Sequence, residues 1–203
     1  MYNRRCTTLV ASMYAVPLLF IAAAATLSGW FDIYRNALSD LGHATRSNVA
    51  PLFNLGLALG AFLVATFALT YSARVSRAVS ASLLLMAFTL NLVAVFDEVY
   101  RALHSWVSAA FFVSIAVAIA TYAAVFRELL VPSVAVAAGV ASWVLHLAYR
   151  VPPGAATPEL ISVALSAPVV ARYSTRACRE VAWGKAPAQP LGSTGLGRSP
   201  IEP

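Results

Sequence analysis

Long apolar runs, separated by short polar segments, follow one another along the chain. Each run is close to the length that a helix needs to cross a hydrocarbon core of roughly 30 Å. The pattern predicts transmembrane helices at about 8–27, 51–71, 78–96, 104–126, 129–149 and 159–173, with room for the last to continue to residue 181. The predicted fold class is therefore all-α, a polytopic membrane bundle of six transmembrane helices.

The pattern also predicts the domain organisation. The first apolar run is longer than the core of a normal signal peptide, which favours an uncleaved first span. Residues 1–7 then form a short cytoplasmic head, and residues 8–181 form the six-helix transmembrane domain. Residues 182–203 are rich in Gly and Pro, so we predict a disordered cytoplasmic tail.

Several local features follow from individual residues. Pro17 is expected to kink the first helix, and Phe31–Tyr34 to form a short interfacial helix. Ser47 or Asn48 is expected to cap the second helix, with Pro51 in its first turn. Gly56 and Gly60 are spaced for close packing against a neighbouring helix.

The composition supports a membrane protein. The chain is 60% hydrophobic and only 11% charged, whereas a soluble domain carries about 25% charged residues. The net charge of +6 does not indicate nucleic acid binding, because the basic residues lie between and after the apolar runs, where they read as topology signals. The expected location is the cell membrane, with the lipid bilayer as the principal partner.

Lys and Arg are distributed unequally between the two faces that six spans would create. Ten of the 14 fall on the face that holds both termini, and Arg35, Arg46, Arg101 and Arg150 fall on the other. The positive-inside rule therefore predicts cytoplasmic N- and C-termini. Cys6 and Cys178 would then lie in a reducing compartment, and their wide separation indicates neither a metal site nor a disulfide framework.

Polar side chains concentrate on the predicted outer face in three clusters. The first is Asn36-Ala-Leu-Ser-Asp-Leu-Gly-His43, the second runs from Asp97 to His104, and the third from His146 to Glu159. Asp97, Arg101 and His104 would share one helix face if the helices extend that far. Asn54 and Asn91 lie one or two turns deeper and could form the floor of a polar pocket, since polar groups inside a span are costly without partners.

Four interpretations of these clusters stay open. In the first, the polar residues are ordinary solvent-exposed helix ends. In the second, the four outer arginines pair with the acidic residues in a structural network. A third is a site that binds lipid headgroups or a membrane partner, with Asn54, Asn91, Arg101 and Glu159 as binding residues. The fourth is a metal-dependent hydrolase acting on a lipid or amide, with zinc on His43, His104 and His146 and with Ser39, Asp40 and Asp97 as catalytic residues. A transporter is disfavoured, because the charges lie at one face and no inverted repeat is evident.

The order of four short motifs resembles a known family. These motifs are Asn36-Ala-Leu-Ser-Asp-Leu-Gly42, Leu52-Phe-Asn-Leu-Gly56, His104-Ser-Trp-Val-Ser-Ala-Ala-Phe-Phe112 and Gly154-Ala-Ala-Thr-Pro-Glu-Leu-Ile-Ser162. Together they resemble the prokaryotic membrane-protein family known as domain of unknown function 998, over about residues 8–175. The Ser-Asp-x-Gly segment is more loosely similar to the Frag/DRAM/Sfk group. The resemblance implies the membrane fold and favours Ser39, Asp40, His104 and Glu159 as site residues, but it implies no reaction.

Overall fold

A computed structural model gives the fold of the chain and describes residues 4–182. It contains six long helices: α1 Arg4–Ser28, α2 Ala50–Thr70, α3 Arg77–Val95, α4 Ala102–Phe126, α5 Leu130–Tyr149 and α6 Ala156–Ala182. Short 3₁₀ helices cover Leu38–Gly42, Ser72–Arg74 and Glu98–Tyr100 in the connections. Residues 4–182 contain no β-strand, so the all-α prediction is confirmed for this part of the chain.

Five of the helices are long and apolar enough to cross a membrane. They are α1, α2 with its continuation to Arg74, α3, α4 and α5. Helix α6 is longer than any of them, but its second half carries Arg172, Arg176 and Arg179, and its composition is much less apolar. The structure thus supports a multi-pass membrane protein with five clear candidate spans.

The connections meet at two ends of the bundle. The polar end consists of the loops 29–49, 96–101 and 150–155, which join α1 to α2, α3 to α4 and α5 to α6. The basic end consists of the start of α1, the loops 71–76 and 127–129, and the last turns of α6. Helix α6 runs from one end to the other: Glu159 contacts Leu38 at the polar end, and Tyr173 hydrogen-bonds Ser72 at the basic end.

Glycine allows α1 and α2 to approach closely. A Cβ atom on Gly56 would overlap the Phe20 side chain, and one on Gly60 would lie 3.0 Å from Cγ of Pro17. Pro17 lies inside α1, where its ring faces this glycine. The predicted role of the two glycines in helix packing is confirmed, and α1 is the neighbour that they accommodate.

The helices do not all pack equally well. Successive helices from α1 to α4 contact each other along their length, and α5 packs mainly on α6. Contacts between α4 and α5 are sparse. This leaves a gap between α4 and α5 on the side of the bundle.

Two local predictions are wrong. Residues 31–34 form no helix; they belong to a turn in which the Asp32 side chain accepts a hydrogen bond from the Tyr34 N–H, at 2.8 Å. The residue preceding α2 is Val49, which has no capping side chain, and the Ser47 hydroxyl instead accepts from the Val49 N–H. Pro51 does lie in the first turn of α2, as predicted.

The prediction that the two cysteines lack a partner is also wrong. Cys6 near the start of α1 and Cys178 near the end of α6 form a disulfide, with their Cα atoms 5.6 Å apart and both residues buried. The bond forms because α1 and α6 lie side by side, so the first turn of α1 meets the last turns of α6. Helix α1 begins at Arg4, inside the predicted head, and the predicted tail lies outside the described residues except for Ala182.

Candidate functional site

The polar end is held together by main-chain hydrogen bonds between two loops that are far apart in sequence. The Gly154 N–H donates to the Tyr34 carbonyl at 2.8 Å, and the Ala156 N–H donates to the Asn36 carbonyl at 3.0 Å. A Cβ atom on Gly154 would overlap the backbone of residues 35 and 36, so the contact requires glycine. This pairing places the start of α6 against the 3₁₀ helix Leu38–Gly42.

Ser39 and Asp40, on that 3₁₀ helix, meet the loop between α3 and α4. The Ser39 hydroxyl donates a hydrogen bond of 2.7 Å to Oε1 of Glu98. Asp40 Oδ2 accepts from the Ala37 N–H at 2.9 Å and from the Asn36 side chain at 3.2 Å, which closes the 3₁₀ turn. The structure therefore brings two of the predicted residues, Ser39 and Asp40, to Glu98.

Glu159 enters the same region from the first turn of α6. Its Oε2 accepts a hydrogen bond of 2.7 Å from the Leu38 N–H, and its side chain is buried, with 9% of the residue exposed. Glu159 and Asp40 are close enough to Glu98 for their charges to interact. We call Ser39, Asp40, Glu98 and Glu159 the acidic cluster.

The acidic cluster forms no ion pair with Lys or Arg among the described residues, and its basic neighbour is His104, whose charge acts on Glu98. The ion pairs at the polar end there amount to Arg35 with Asp32, at 3.7 Å and largely exposed. Arg46, Arg101 and Arg150 form no ion pair within the described part of the chain. The arginine network predicted for this face is therefore limited to that single exposed pair.

The environment of Glu98 raises the pKa of its carboxyl. Burial raises the pKa of the Glu98 carboxyl above its ordinary value. The hydrogen bond from Ser39 and the charge of His104 oppose this increase, and the neighbouring Asp40 carboxyl raises the pKa further. Two carboxylates that share one small region disfavour each other's ionisation.

The three histidines do not come together. His104 is held by the Phe96 carbonyl at Nδ1 (2.7 Å) and by the Ser108 hydroxyl at Nε2 (3.2 Å), whereas Nδ1 of His146 lies 2.9 Å from the Pro152 carbonyl. His43 lies in the exposed loop that precedes α2. Among residues 4–182, no three His, Cys, Asp or Glu side chains are close enough to hold one metal ion. The predicted three-histidine zinc site is therefore not assembled.

The remaining predicted site residues have separate positions. The Asp97 side chain accepts from the Val99 N–H at 2.8 Å and caps the 3₁₀ helix Glu98–Tyr100. Arg101 has a positive φ of 49°, so the helical alignment of Asp97, Arg101 and His104 is wrong. Asn54 donates to the Gly42 carbonyl at 3.0 Å, which fastens the loop to α2, and Asn91 lies on an exposed side of α3.

A lateral groove of about 640 Å³ extends from the acidic cluster along the gap between α4 and α5. Its polar end is lined by Ser39, Glu98, His104 and Glu159, and its length by mostly small or aliphatic side chains. Along α4 the lining runs from His104 to Ile119, which corresponds to about 22 Å of helix. This distance exceeds the roughly 15 Å depth of one leaflet.

Small side chains make the groove possible. Ala109 and Ala116 on α4 and Ala135 and Gly139 on α5 all line it. A Cβ atom on Gly139 would meet only Ser162 Oγ, at 4.0 Å, so this wall has free space in front of it. These groove residues were not among the predicted site residues, because a gap between two helices leaves no motif in either helix.

Two further spaces adjoin the same cluster. A partly open central cavity of about 120 Å³ lies among α1, α2, α3, α4 and α6 and shares Ser39, Ser108 and Glu159 with the groove. It continues to Val170, about 16 Å along α6 from Glu159, and is almost entirely apolar. A vestibule of about 590 Å³ opens at the polar end and shares Glu98, His104 and Ser105 with the groove; its other lining residues include His43, Arg46 and Arg101.

The helical fold, the five apolar helices and the side groove together define a multi-pass helical membrane protein. The chain belongs to the family described as Protein of unknown function (DUF998), whose model matches residues 9–174. The predicted family membership is thereby confirmed. No match was found among curated proteins or among solved structures.

Proposed function

We propose that this protein binds an amphipathic lipid from the membrane, with the hydrocarbon chain in the lateral groove and the headgroup at the acidic cluster. The observation that supports the proposal is that the apolar groove and the acidic cluster are continuous. The groove is apolar along α4 and α5 and ends at Ser39, Glu98, His104 and Glu159. An amphiphile has the same arrangement, an apolar chain that ends in a polar group. Because the groove lies on the side of the bundle, it would open toward the lipid.

The proposal includes a six-span topology with α6 as the sixth span. Its support is that α6 contacts the 3₁₀ helix Leu38–Gly42 at the polar end and Ser72 at the basic end. The excess of Lys and Arg at the basic end supports cytoplasmic termini and an extracytoplasmic acidic cluster in the cell membrane. The prokaryotic origin and the looser similarity to the Frag/DRAM/Sfk group stay predictions.

The disulfide and the charge distribution favour opposite orientations. Disulfides persist in oxidising compartments, whereas the charge distribution assigns the Cys6–Cys178 bond to the cytoplasmic side. We follow the charge distribution, because it rests on ten basic residues. The two cysteines are also buried, at 0% and 1% exposure, which shields the bond from soluble reductants.

The hydrolase alternative gains no support from the geometry. Its three histidine ligands lie apart, and the Ser39 hydroxyl donates to a carboxylate instead of facing a histidine base. The transporter alternative would need a cavity in the middle of the bundle. The central cavity reaches that depth, but its walls offer almost no polar partner to a dissolved solute.

Filling the groove tests the proposal. Gly139→Leu places a side chain in the groove, and we expect it to weaken the binding of a long-chain amphiphile at least roughly fivefold, by steric exclusion of the chain. The measurement is saturable quenching of Trp143 fluorescence by chain-brominated hexadecylamine, hexadecanol or hexadecanoic acid in detergent solution, because Trp143 lines the groove. Signal that persists in Trp143→Phe comes from the other tryptophans and is subtracted.

The matched control is Ala138→Leu, which adds a similar side chain at the neighbouring, exposed position of α5 outside the groove lining. It should bind as the native protein does. If none of the three amphiphiles quenches Trp143 saturably, or if Gly139→Leu binds as well as Ala138→Leu, the protein does not hold a lipid in this groove.

A further inference from the structure

The headgroup region of the groove has a specific chemical character. Glu98, His104 and Ser105 lie between the groove and the vestibule, and Ser39, Ser108 and Glu159 lie between the groove and the central cavity. These side chains line the polar end of the groove, beyond the Trp143–Ser162 hydrogen bond in its wall. They therefore decide which headgroups fit.

This boundary presents hydrogen-bond acceptors, and its hydroxyl donors are already used. The Ser39 hydroxyl donates to Glu98, and the Ser108 hydroxyl is paired with His104. Glu159 uses Oε2 to accept from Leu38, and its Oε1 forms no hydrogen bond among the described residues. The boundary therefore offers carboxylate oxygens to a ligand and little else.

The carboxylates also lack a lysine or arginine partner in the described residues, although the charge of His104 acts on Glu98. Glu98, Asp40 and Glu159 form no ion pair with Lys or Arg in residues 4–182, and Glu159 is nine-tenths buried. A buried carboxylate is costly unless a charged or hydrogen-bonding partner compensates it. A ligand with a positive charge and several N–H groups would give these carboxylates an ion-pair partner and additional hydrogen-bond donors.

We propose that the lipid bound in the lateral groove is a long-chain amine, with its ammonium group between Glu98 and Glu159. This inference rests on the proposed function, since it requires an amphiphile in the groove. A primary ammonium group carries three N–H donors, and hydrogen bonds between ionised partners are about twice as strong as neutral ones. Asp40, beside Glu98, adds to the negative potential.

The order of charges along the site distinguishes this ligand from a common phospholipid. Moving away from the groove, the acidic cluster comes first, and His43, Arg46 and Arg101 follow in the vestibule. In phosphatidylethanolamine the phosphate lies between the chains and the amine. That arrangement would set the phosphate against the carboxylates, whereas an amine attached directly to the chain meets them.

The test compares headgroups on one chain. Using the full-length protein and the Trp143 quenching measurement, we expect hexadecylamine to bind roughly tenfold or more tightly than hexadecanol, and hexadecanoic acid to bind least tightly. Glu159→Gln should weaken hexadecylamine roughly tenfold and leave hexadecanol unchanged, because it removes the carboxyl group that would pair with the ammonium and keeps the size of the side chain. Unchanged binding of hexadecanol also shows that the variant is folded. Phosphatidylethanolamine should be a poor competitor.

The outcomes separate this inference from the proposed function. Equal binding of amine and alcohol, tighter binding of the acid, effective competition by phosphatidylethanolamine, or an equal loss of amine and alcohol in Glu159→Gln would each overturn the amine assignment. In those cases a Gly139→Leu variant that still weakens amphiphile binding would leave the lipid groove intact. Failure of all amphiphiles to bind would remove both.

Discussion

At the scale of single residues, the polar end depends on hydrogen bonds that carboxylate side chains accept from residues far away in the sequence. Ser39 and Glu98 are separated by 59 residues, and Leu38 and Glu159 by 121. These bonds fasten the 3₁₀ helix Leu38–Gly42 to the connection between α3 and α4 and to the first turn of α6. Glu98 and Glu159 also line the groove, so the residues that fasten the polar end are the ones proposed to bind the headgroup.

Glu98 gives the molecule a dependence on pH. Because burial raises the pKa of its carboxyl in the folded protein, the folded state holds this proton more tightly than the unfolded state does. The stability that results is present at low pH and is lost as the pH rises above the ordinary value of 4.5. In Glu98→Gln, which keeps an acceptor for Ser39, the melting temperature should fall less between about pH 4.5 and pH 7.

Thermal denaturation in detergent at several pH values measures this effect. Glu180→Gln is a suitable control, because it removes one carboxylate from the basic end and none from the acidic cluster. A pH dependence in Glu98→Gln as steep as that of the native protein would show that Glu98 is not responsible.

At the scale of helices, the sequence predicts where most helices lie along the chain, but it does not predict most of the contacts between them. Hydropathy predicted every long helix, because an apolar run of this length has few other stable forms in a bilayer. It missed the turn at Phe31–Tyr34, where the Asp32 side chain caps the backbone locally. The sequence interpretation also includes Asn91 in the site, whereas the structure places this residue on an exposed side of α3. A single amide in an apolar run does not indicate which face of the helix is buried.

The candidate site was predicted only in part. Ser39, Asp40, His104 and Glu159 were proposed from their polar character, and the structure brings all four to the same end of the bundle. The partner role of Glu98 and the groove residues Ala116 and Gly139 were missed. The groove depends on how far α4 and α5 lie apart, and the role of Glu98 depends on the contact of two loops that are distant in sequence. Neither is a property of a single sequence segment.

The close packing of α1 and α2 leads to a prediction about glycine. Gly56→Ala should lower the stability by about 1–3 kcal/mol, because the added methyl group overlaps Phe20 in a packed interface. Gly139→Ala is the matched control, since its added methyl group enters open space in the groove. We expect Gly139→Ala to be neutral or to stabilise the helix by up to about 1 kcal/mol.

Denaturation of both variants in detergent gives the comparison. Equal loss of stability at the two positions would show that glycine itself, and not the contact with Phe20, is required in these helices.

At the scale of the whole molecule, the two ends of the bundle differ in chemistry. The acidic cluster and the vestibule lie at the polar end, and the basic end holds the disulfide and an interaction centred on Glu128. There the Tyr122 hydroxyl donates to Glu128 at 2.6 Å, while Arg172 and Arg176 lie 3.9 Å from the same carboxylate. The excess of Lys and Arg at the basic end is the part of this asymmetry that the positive-inside rule uses to predict the orientation.

The orientation can be measured by labelling introduced cysteines in intact cells. Ala44→Cys places an exposed thiol at the polar end, and Ala78→Cys places one at the basic end. With cytoplasmic termini, a membrane-impermeant maleimide should label Ala44→Cys at once and Ala78→Cys only after the cells are permeabilised. The two native cysteines are joined and buried, so they should add no background.

The reverse labelling pattern would contradict the charge rule. It would place the Cys6–Cys178 bond in the oxidising compartment and the acidic cluster in the cytoplasm. Labelling of both positions without permeabilisation would show that one of them is reached through the bundle.

The bond between Cys6 and Cys178 has one more consequence, because it joins residues 172 positions apart. Nearly the whole helical bundle lies within a covalent ring. A protease that cuts any one loop between these cysteines would open the ring without releasing a fragment. The nicked protein would migrate as a single chain until it is reduced, and its helices would stay tethered at the basic end while the polar end gained freedom to open.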